Sequence, residues 1–210
     1  MRKSELAILG IILISFLIGF YLYPQMTEKM ASHWGIEGEV NGYLPKFWGL
    51  FIMPIISLGL FLLFIMIPKI DPLKQNIAKF RKYFDGFVLL ITVFLFYLFL
   101  LTIFWNFGFT FNIVQFLIPA FAVLLYYTGI LLEKSKRNWF IGIRTPWTLS
   151  SDKVWEKTHK LGGKLFKIVG IVSLIGIVFI PYAFYLILFS MFAVLIYIVV
   201  YSYFEYKKRK

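Results

Sequence analysis

His33, Glu37 and Glu39 fall within one short stretch of the chain. An imidazole among carboxylates is a combination that can ligate a metal or carry a proton. A metal site ordinarily takes three or four ligands, however, and one imidazole falls short of such a set. The other histidine, His159, follows Trp155 by four residues, so the two share a helical face. Arg144 is the anion-binding candidate of the same stretch, because a guanidinium holds a carboxylate or phosphate through two parallel N–H bonds. The sequence has no cysteine, which removes thiolate nucleophiles, disulfides and thiolate zinc sites together. No catalytic nucleophile, metal ligand set or cofactor motif emerges. These residues are therefore read as binding candidates, with no catalytic residue, no metal and no cofactor assigned.

The elements that must position them are membrane helices. Of the 210 residues, 60% are hydrophobic and only 15% are charged. A soluble domain of this size is about 45–50% apolar and about 25% charged, and has too little interior to hide the excess. A bilayer accepts it. Apolar runs of spanning length, about 20 residues, occur near Leu6–Tyr23, Phe47–Ile67, Phe84–Trp105 and Phe111–Leu132. A last run, Leu165–Phe204, is too long for one crossing and is divided at Pro181 into two. The first run follows Arg2 and Lys3 but leads into Tyr23-Pro24 without a small-residue cleavage site, so it is read as an anchor and not as a signal peptide. The expected fold is all-α: a polytopic membrane protein of six transmembrane helices. Two units are expected, residues 1–68 with an extracellular loop 24–46, and residues 69–210 with a cytoplasmic loop 133–164.

Charge orients this arrangement. Nineteen Lys and Arg residues lie in the N-terminus, the second and fourth loops and the C-terminal tail, against Lys29 and Lys46 in the first loop. Cytoplasmic loops collect Lys and Arg, so both termini are expected inside and the first loop outside. The net charge of +12 is then a topogenic signal, and no direct nucleic-acid contact is expected. The span centres hold no Asp, Glu, Lys, Arg or His, which speaks against a charge-coupled pump.

The two loops carry the remaining information. In the outer one, Gly35, Gly38 and Gly42 permit tight turns between Pro24 and Pro45, giving a compact loop that presents His33 and Trp34. In the inner one, Trp139, Trp147 and Trp155 surround Arg144 and the turn at Thr145-Pro146. Ser150 or Ser151 is placed to cap a following helix, with Asp152 in its first turn. Two readings stay open for that helix: a basic interfacial helix touching membrane lipids, and a recognition surface anchored by Arg144.

At these loops the chain resembles a known family. The segment N-W-F-I-G-I-R-T-P-W-T-L-S-S-D-K-V-W-E-K-T-H-K-L-G-G is similar to the signature of the SdpI family, immunity proteins against a secreted sporulation-delaying peptide toxin; Asn138, Gly142, Arg144, Thr145, Pro146, Trp147, Trp155 and His159 carry the match. The first loop, through His33, Gly35, Gly38, Gly42 and Lys46, resembles the N-terminal membrane domain of unknown function found in that family. The resemblance implies protection against a membrane-active peptide toxin, and in one branch the holding of a small helix-turn-helix repressor at the membrane. It implies binding work and no enzyme activity. Two alternatives come from the residues alone: a transporter or channel for small amphiphiles with polar groups near Gln115 and Asn112, and a membrane enzyme using His33 with Glu37 or Arg144 with His159.

Overall fold

In hydrocarbon every backbone N–H and C=O must be satisfied within the chain, and a helix does this residue by residue. The apolar runs accordingly become helices in the computed structural model, which describes residues 2–209. In chain order these are α1 (Lys3–Leu22), a strand pair β1 (Lys29–Trp34) and β2 (Val40–Pro45), α2 (Lys46–Ile70), α3 (Lys74–Lys79), α4 (Arg81–Asn106), α5 (Ile113–Lys134), α6 (Pro146–Ser150), α7 (Asp152–Ser173) and α8 (Ile180–Lys207). Among the described residues, five stretches are long and apolar enough to cross a membrane: Lys3–Gln25, Lys46–Ile70, Arg81–Asn106, Ile113–Lys134 and Ile180–Lys207. The fold is that of a helical, multi-pass membrane protein.

The chain divides into two compact units. The first comprises Met1–Phe64 and Val88–Leu117. Its core joins Met26 and Met30 to Leu50 and Phe51 of α2 and to Phe99 and Ile103 of α4. The antiparallel β1–β2 hairpin belongs to this unit and is an element the helical reading did not contain. Asn106, at the end of α4, holds it: its Oδ1 accepts from the Ala31 N–H at 2.8 Å and its Nδ2 donates to the Ala31 carbonyl at 3.0 Å.

The second unit comprises Ile65–Phe87 and Ile118–Lys210. Here α7 departs from the sequence reading. A short surface helix followed by a separate span from Leu165 was expected; the structure has one helix running from Asp152 to Ser173, through Gly162 and Gly163. Chain reversal comes in a 3-10 turn at Leu174–Ile177, and Pro181 opens α8 in its first turn, where a missing N–H costs nothing. The two glycines serve contact, not breakage. Lipid supplies little hydrophobic drive between helices, so membrane helices gain by approaching closely at small residues. A Cβ on Gly163 would lie 2.6 Å from the Gly129 carbonyl of α5, and one on Gly170 would lie 2.8 Å from the Ala122 carbonyl.

Gly163→Ala should therefore lower thermal stability in detergent by about 1–3 kcal/mol, since backbone cannot yield to the new methyl. Gly10→Ala, where a Cβ meets nothing within 4 Å, should be neutral or slightly stabilising because alanine is the better helix former. Equal losses at both positions would show that helix approach at Gly163 is not what sets stability.

Candidate binding loops

The outer loop is a hairpin with a bulge on each strand. Ala31 pairs with Tyr43 and His33 with Gly42, so Ser32 is an extra residue on β1; Trp34 pairs with Val40, so Asn41 is an extra residue on β2. Bulges re-aim side chains, and here His33 and Asn41 both point outward, the His33 Nδ1 lying 2.5 Å from the Asn41 Oδ1. Tyr43 adds a 60% exposed ring to the same strand. Gly42 gives His33 its room, because a Cβ there would come within 2.8 Å of the His33 Cβ.

The hairpin tip is closed by bonds from the Gly35 N–H to the Glu39 carbonyl at 2.8 Å and from the Gly38 N–H to the Gly35 carbonyl at 3.0 Å. Gly38 sits at φ +90° with Asn112 packed where a side chain would be, so both its backbone and its surroundings demand glycine. Asn112 in turn donates to the Glu37 carbonyl at 2.9 Å. At the hairpin base, Lys46 pairs with Glu28 at 2.7 Å and lies 4.9 Å from the Tyr23 ring centre. Trp34 packs edge-on against Trp105, with ring centres 5.9 Å apart. Among the described residues, no three His, Asp or Glu side chains gather closely enough to hold a metal ion.

The inner signature is an irregular loop wrapped round α7. Asn138 is fully buried and uses its whole side chain: Oδ1 accepts from the Phe140 and Ile141 N–H groups at 2.9 and 2.6 Å, and Nδ2 donates to the Lys136 and Ile141 carbonyls, each at 2.8 Å. Thr145 caps α6, accepting from the Thr148 N–H at 3.1 Å, and its hydroxyl lies 3.0 Å from that of Ser202 on α8. Pro146 supplies the first helical position behind that cap. Of the two serines that could cap α7, Ser151 does so. Trp147 stands edge-on to Tyr203, with centres 5.2 Å apart. Arg144 is exposed and donates to the Trp139 carbonyl at 2.7 Å, beside the exposed Trp139 and Phe140 rings.

Trp155 and His159 stack with ring centres 3.9 Å apart, both buried. The His159 Nδ1 lies 2.8 Å from the Trp155 carbonyl, which can only accept, so Nδ1 carries the proton. The Nε2 accepts from the Ile143 N–H at 2.9 Å. Both ring nitrogens are thus committed to backbone, which leaves none for acid–base work. Gly142, at φ +114°, lies against both rings and leaves no space for a side chain.

Two further polar residues, Asp71 and Asn76, hold this arrangement from the connection between α2 and α4. Asp71, 2% exposed, accepts from the Leu73 N–H at 2.6 Å and from the Trp139 N–H at 2.9 Å. Asn76 donates to the Arg137 carbonyl at 2.8 Å. Together they tie the α2–α4 connection to the signature loop. An aspartate before a proline at the end of an apolar run, in Asp71-Pro72, was the available clue.

Burial pushes the His159 pKa down to about 4 from an ordinary 6.5; leaving water disfavours the imidazolium, and the bond to the Trp155 carbonyl offsets only part of that cost. As pH falls through 6.5 the unfolded chain takes up the proton first. The contribution is therefore intact above about 6.5, declines as pH drops and is gone below about 4. It amounts to about 3 kcal/mol at most. Thermal stability of the intact protein should fall across that window, and His159→Gln should flatten the fall. An unchanged pH profile in the variant would remove His159 as its source.

The chain's relatives fit these loops. Residues 134–202 match the SdpI/YfhL protein family, and residues 10–58 match a domain of unknown function (DUF1648). The chain is 27% identical over 209 residues to the immunity protein SdpI of Bacillus subtilis (strain 168), covering 99% of this chain and 98% of that protein. No solved structure matches. Residues 134–202 are thus similar to the SdpI/YfhL protein family, and the chain resembles an SdpI immunity protein along nearly its whole length.

Proposed function

We propose that this chain is a membrane immunity protein that protects its cell against a secreted, membrane-active peptide, and that the β1–β2 hairpin is the surface the peptide meets. Near full-length similarity to an immunity protein carries the reading. The hairpin adds physical support. A membrane-active peptide is amphipathic, and the outward face offers the Tyr43 ring beside the polar His33 and Asn41. Protection of this kind is binding work and involves no catalysis.

In the same reading the chain crosses the membrane six times with both termini in the cytoplasm. The apolar half of α7 makes the fifth crossing and α8 the sixth. The nineteen-to-two division of Lys and Arg supports this orientation. Residues 1–68 form the peptide-facing two-helix unit with loop 24–46 outside, and residues 69–210 a four-helix unit with loop 133–164 inside. The exposed Trp139, Phe140 and Arg144 then supply a cytoplasmic face on which a helix-turn-helix repressor is held, making the protein a signal transducer as well. Transduction requires two helix arrangements of different affinity for the peptide.

Survival of a peptide-sensitive host expressing the intact protein should rise with expression. His33→Ala and Arg144→Ala should reach the membrane at normal levels yet lose about tenfold in tolerated peptide, the effect of removing one good contact. No rescue by correctly inserted intact protein would overturn the immunity reading, whereas full rescue by both variants would overturn only the loop assignments.

Orientation has its own test, made simple by the absence of cysteine. Ser32→Cys should react with a membrane-impermeant maleimide on intact cells, and Ser150→Cys only after permeabilisation. The reverse pattern would invert the topology.

A further inference from the structure

A cavity of about 520 Å³ opens in the second unit between α3, the signature loop, the end of α5 and the first turns of α7. Its walls are fixed by the Asn76 bond to the Arg137 carbonyl and by the Trp155 indole N–H, which donates to the Ser135 carbonyl at 3.2 Å. Lys79, Lys134, Lys136, Lys160 and Lys164 line it, and none of the five makes an ion pair among the described residues. Of its carboxylates, Asp152 is paired with Arg137 at 2.7 Å and Glu133 with Lys167 at 2.6 Å, leaving Glu156 alone to oppose the five ammonium groups. So many like charges around one hollow repel each other, and a bound polyanion relieves that repulsion.

A second hollow lies on the same two helices. A groove of about 300 Å³, lined by apolar side chains and tyrosine rings, runs between Val123 and Tyr127 of α5 and Ile171 of α7 with Leu174 just beyond its end. Tyr127 and Lys134 are seven residues apart on α5, as are Ile171 and Lys164 on α7. Seven residues are nearly two full turns, so each pair shares a face and is separated by about 10 Å along the helix. Tyr83 stands between the two hollows: its carbonyl accepts from the Tyr127 hydroxyl at 3.3 Å, and the Lys134 ammonium lies 5.7 Å from its ring centre. The Tyr127 hydroxyl is thereby spent, and the groove keeps an apolar lining.

A basic hollow at the helix ends, with an apolar groove one headgroup's reach deeper on the same face, has the chemistry of a phospholipid. We propose that the second unit binds one anionic phospholipid, its phosphate among Lys134, Lys160 and Lys164 and an acyl chain in the α5–α7 groove. Basic pockets between membrane helices on the lysine-rich side take anionic headgroups in this manner. The site does not depend on the immunity reading and uses none of the hairpin residues.

Native mass spectrometry of the full chain, purified in mild detergent and titrated with phosphatidylglycerol or phosphatidylcholine, tests the assignment. Phosphatidylglycerol should be retained in preference to phosphatidylcholine. Joint Lys134→Gln, Lys160→Gln and Lys164→Gln substitution should weaken it roughly 100-fold, while joint Lys69→Gln, Lys74→Gln and Lys82→Gln substitution, outside the cavity, should not. Val123→Trp, at a 56% exposed position that tolerates bulk, should weaken the long-chain lipid and spare a dihexanoyl lipid of the same headgroup. Equal retention of both lipids, or equal loss in both lysine triples, would overturn the site. Displacement by inorganic pyrophosphate at comparable concentration would assign the cavity to a soluble phosphate instead. Val123→Trp acting alike on long and short chains would remove the groove from it.

Discussion

Irregular backbone packed against membrane helices has to bring its own hydrogen-bond partners, because neither lipid nor bulk water stands ready to supply them. The signature loop meets this demand with short polar side chains bent back onto the chain. Asn138 satisfies four backbone groups, Asp71 two, and the His159 ring two. Only with those groups satisfied can residues 138–145 cross the face of α7 without regular secondary structure. The residues that carry the resemblance to the SdpI family are thus in large part the residues that fix this irregular loop.

Rigidity also explains what the loop leaves outside. Once Trp155 and His159 are buried under Gly142, the residues turned outward are Trp139, Phe140 and Arg144. The hairpin of the other unit follows the same logic by different means. Asn106 and Asn112 clamp its strands and tip from outside the hairpin, and two opposed bulges turn His33 and Asn41 toward the exterior. In both cases hydrogen bonds from polar side chains fix the backbone, and a few side chains are left exposed.

Helix α7 joins the two demands placed on this chain. Its first half is basic and amphipathic and carries the signature histidine; its second half is apolar and packs on α5 through Gly163 and Gly170. Continuity through Gly162 and Gly163 lets one helix line both the lysine-lined cavity and the apolar groove.

By itself the sequence determined the solvent. Composition, run length and the segregation of Lys and Arg establish a multi-pass helical membrane protein, since a bilayer demands long apolar helices wherever the chain crosses it. Local chemistry was legible as well: Ser150 or Ser151 read as the cap of the helix that Ser151 does cap, Thr145-Pro146 as a turn, and Trp155 with His159 as neighbours on one face. Tertiary structure decided the rest. The hairpin could not be read from residues 29–45, whose glycines and bulges break strand alternation and whose strands are held by Asn106 and Asn112 some 75 positions away. The role of Asp71 was hidden for the same reason, its partner Trp139 N–H lying 68 positions on. Nor could the glycine pair in α7 be told from a break, because whether a glycine bends a helix or seats one depends on what stands opposite, and that is the Ile143 side chain for Gly162 and the Gly129 carbonyl for Gly163.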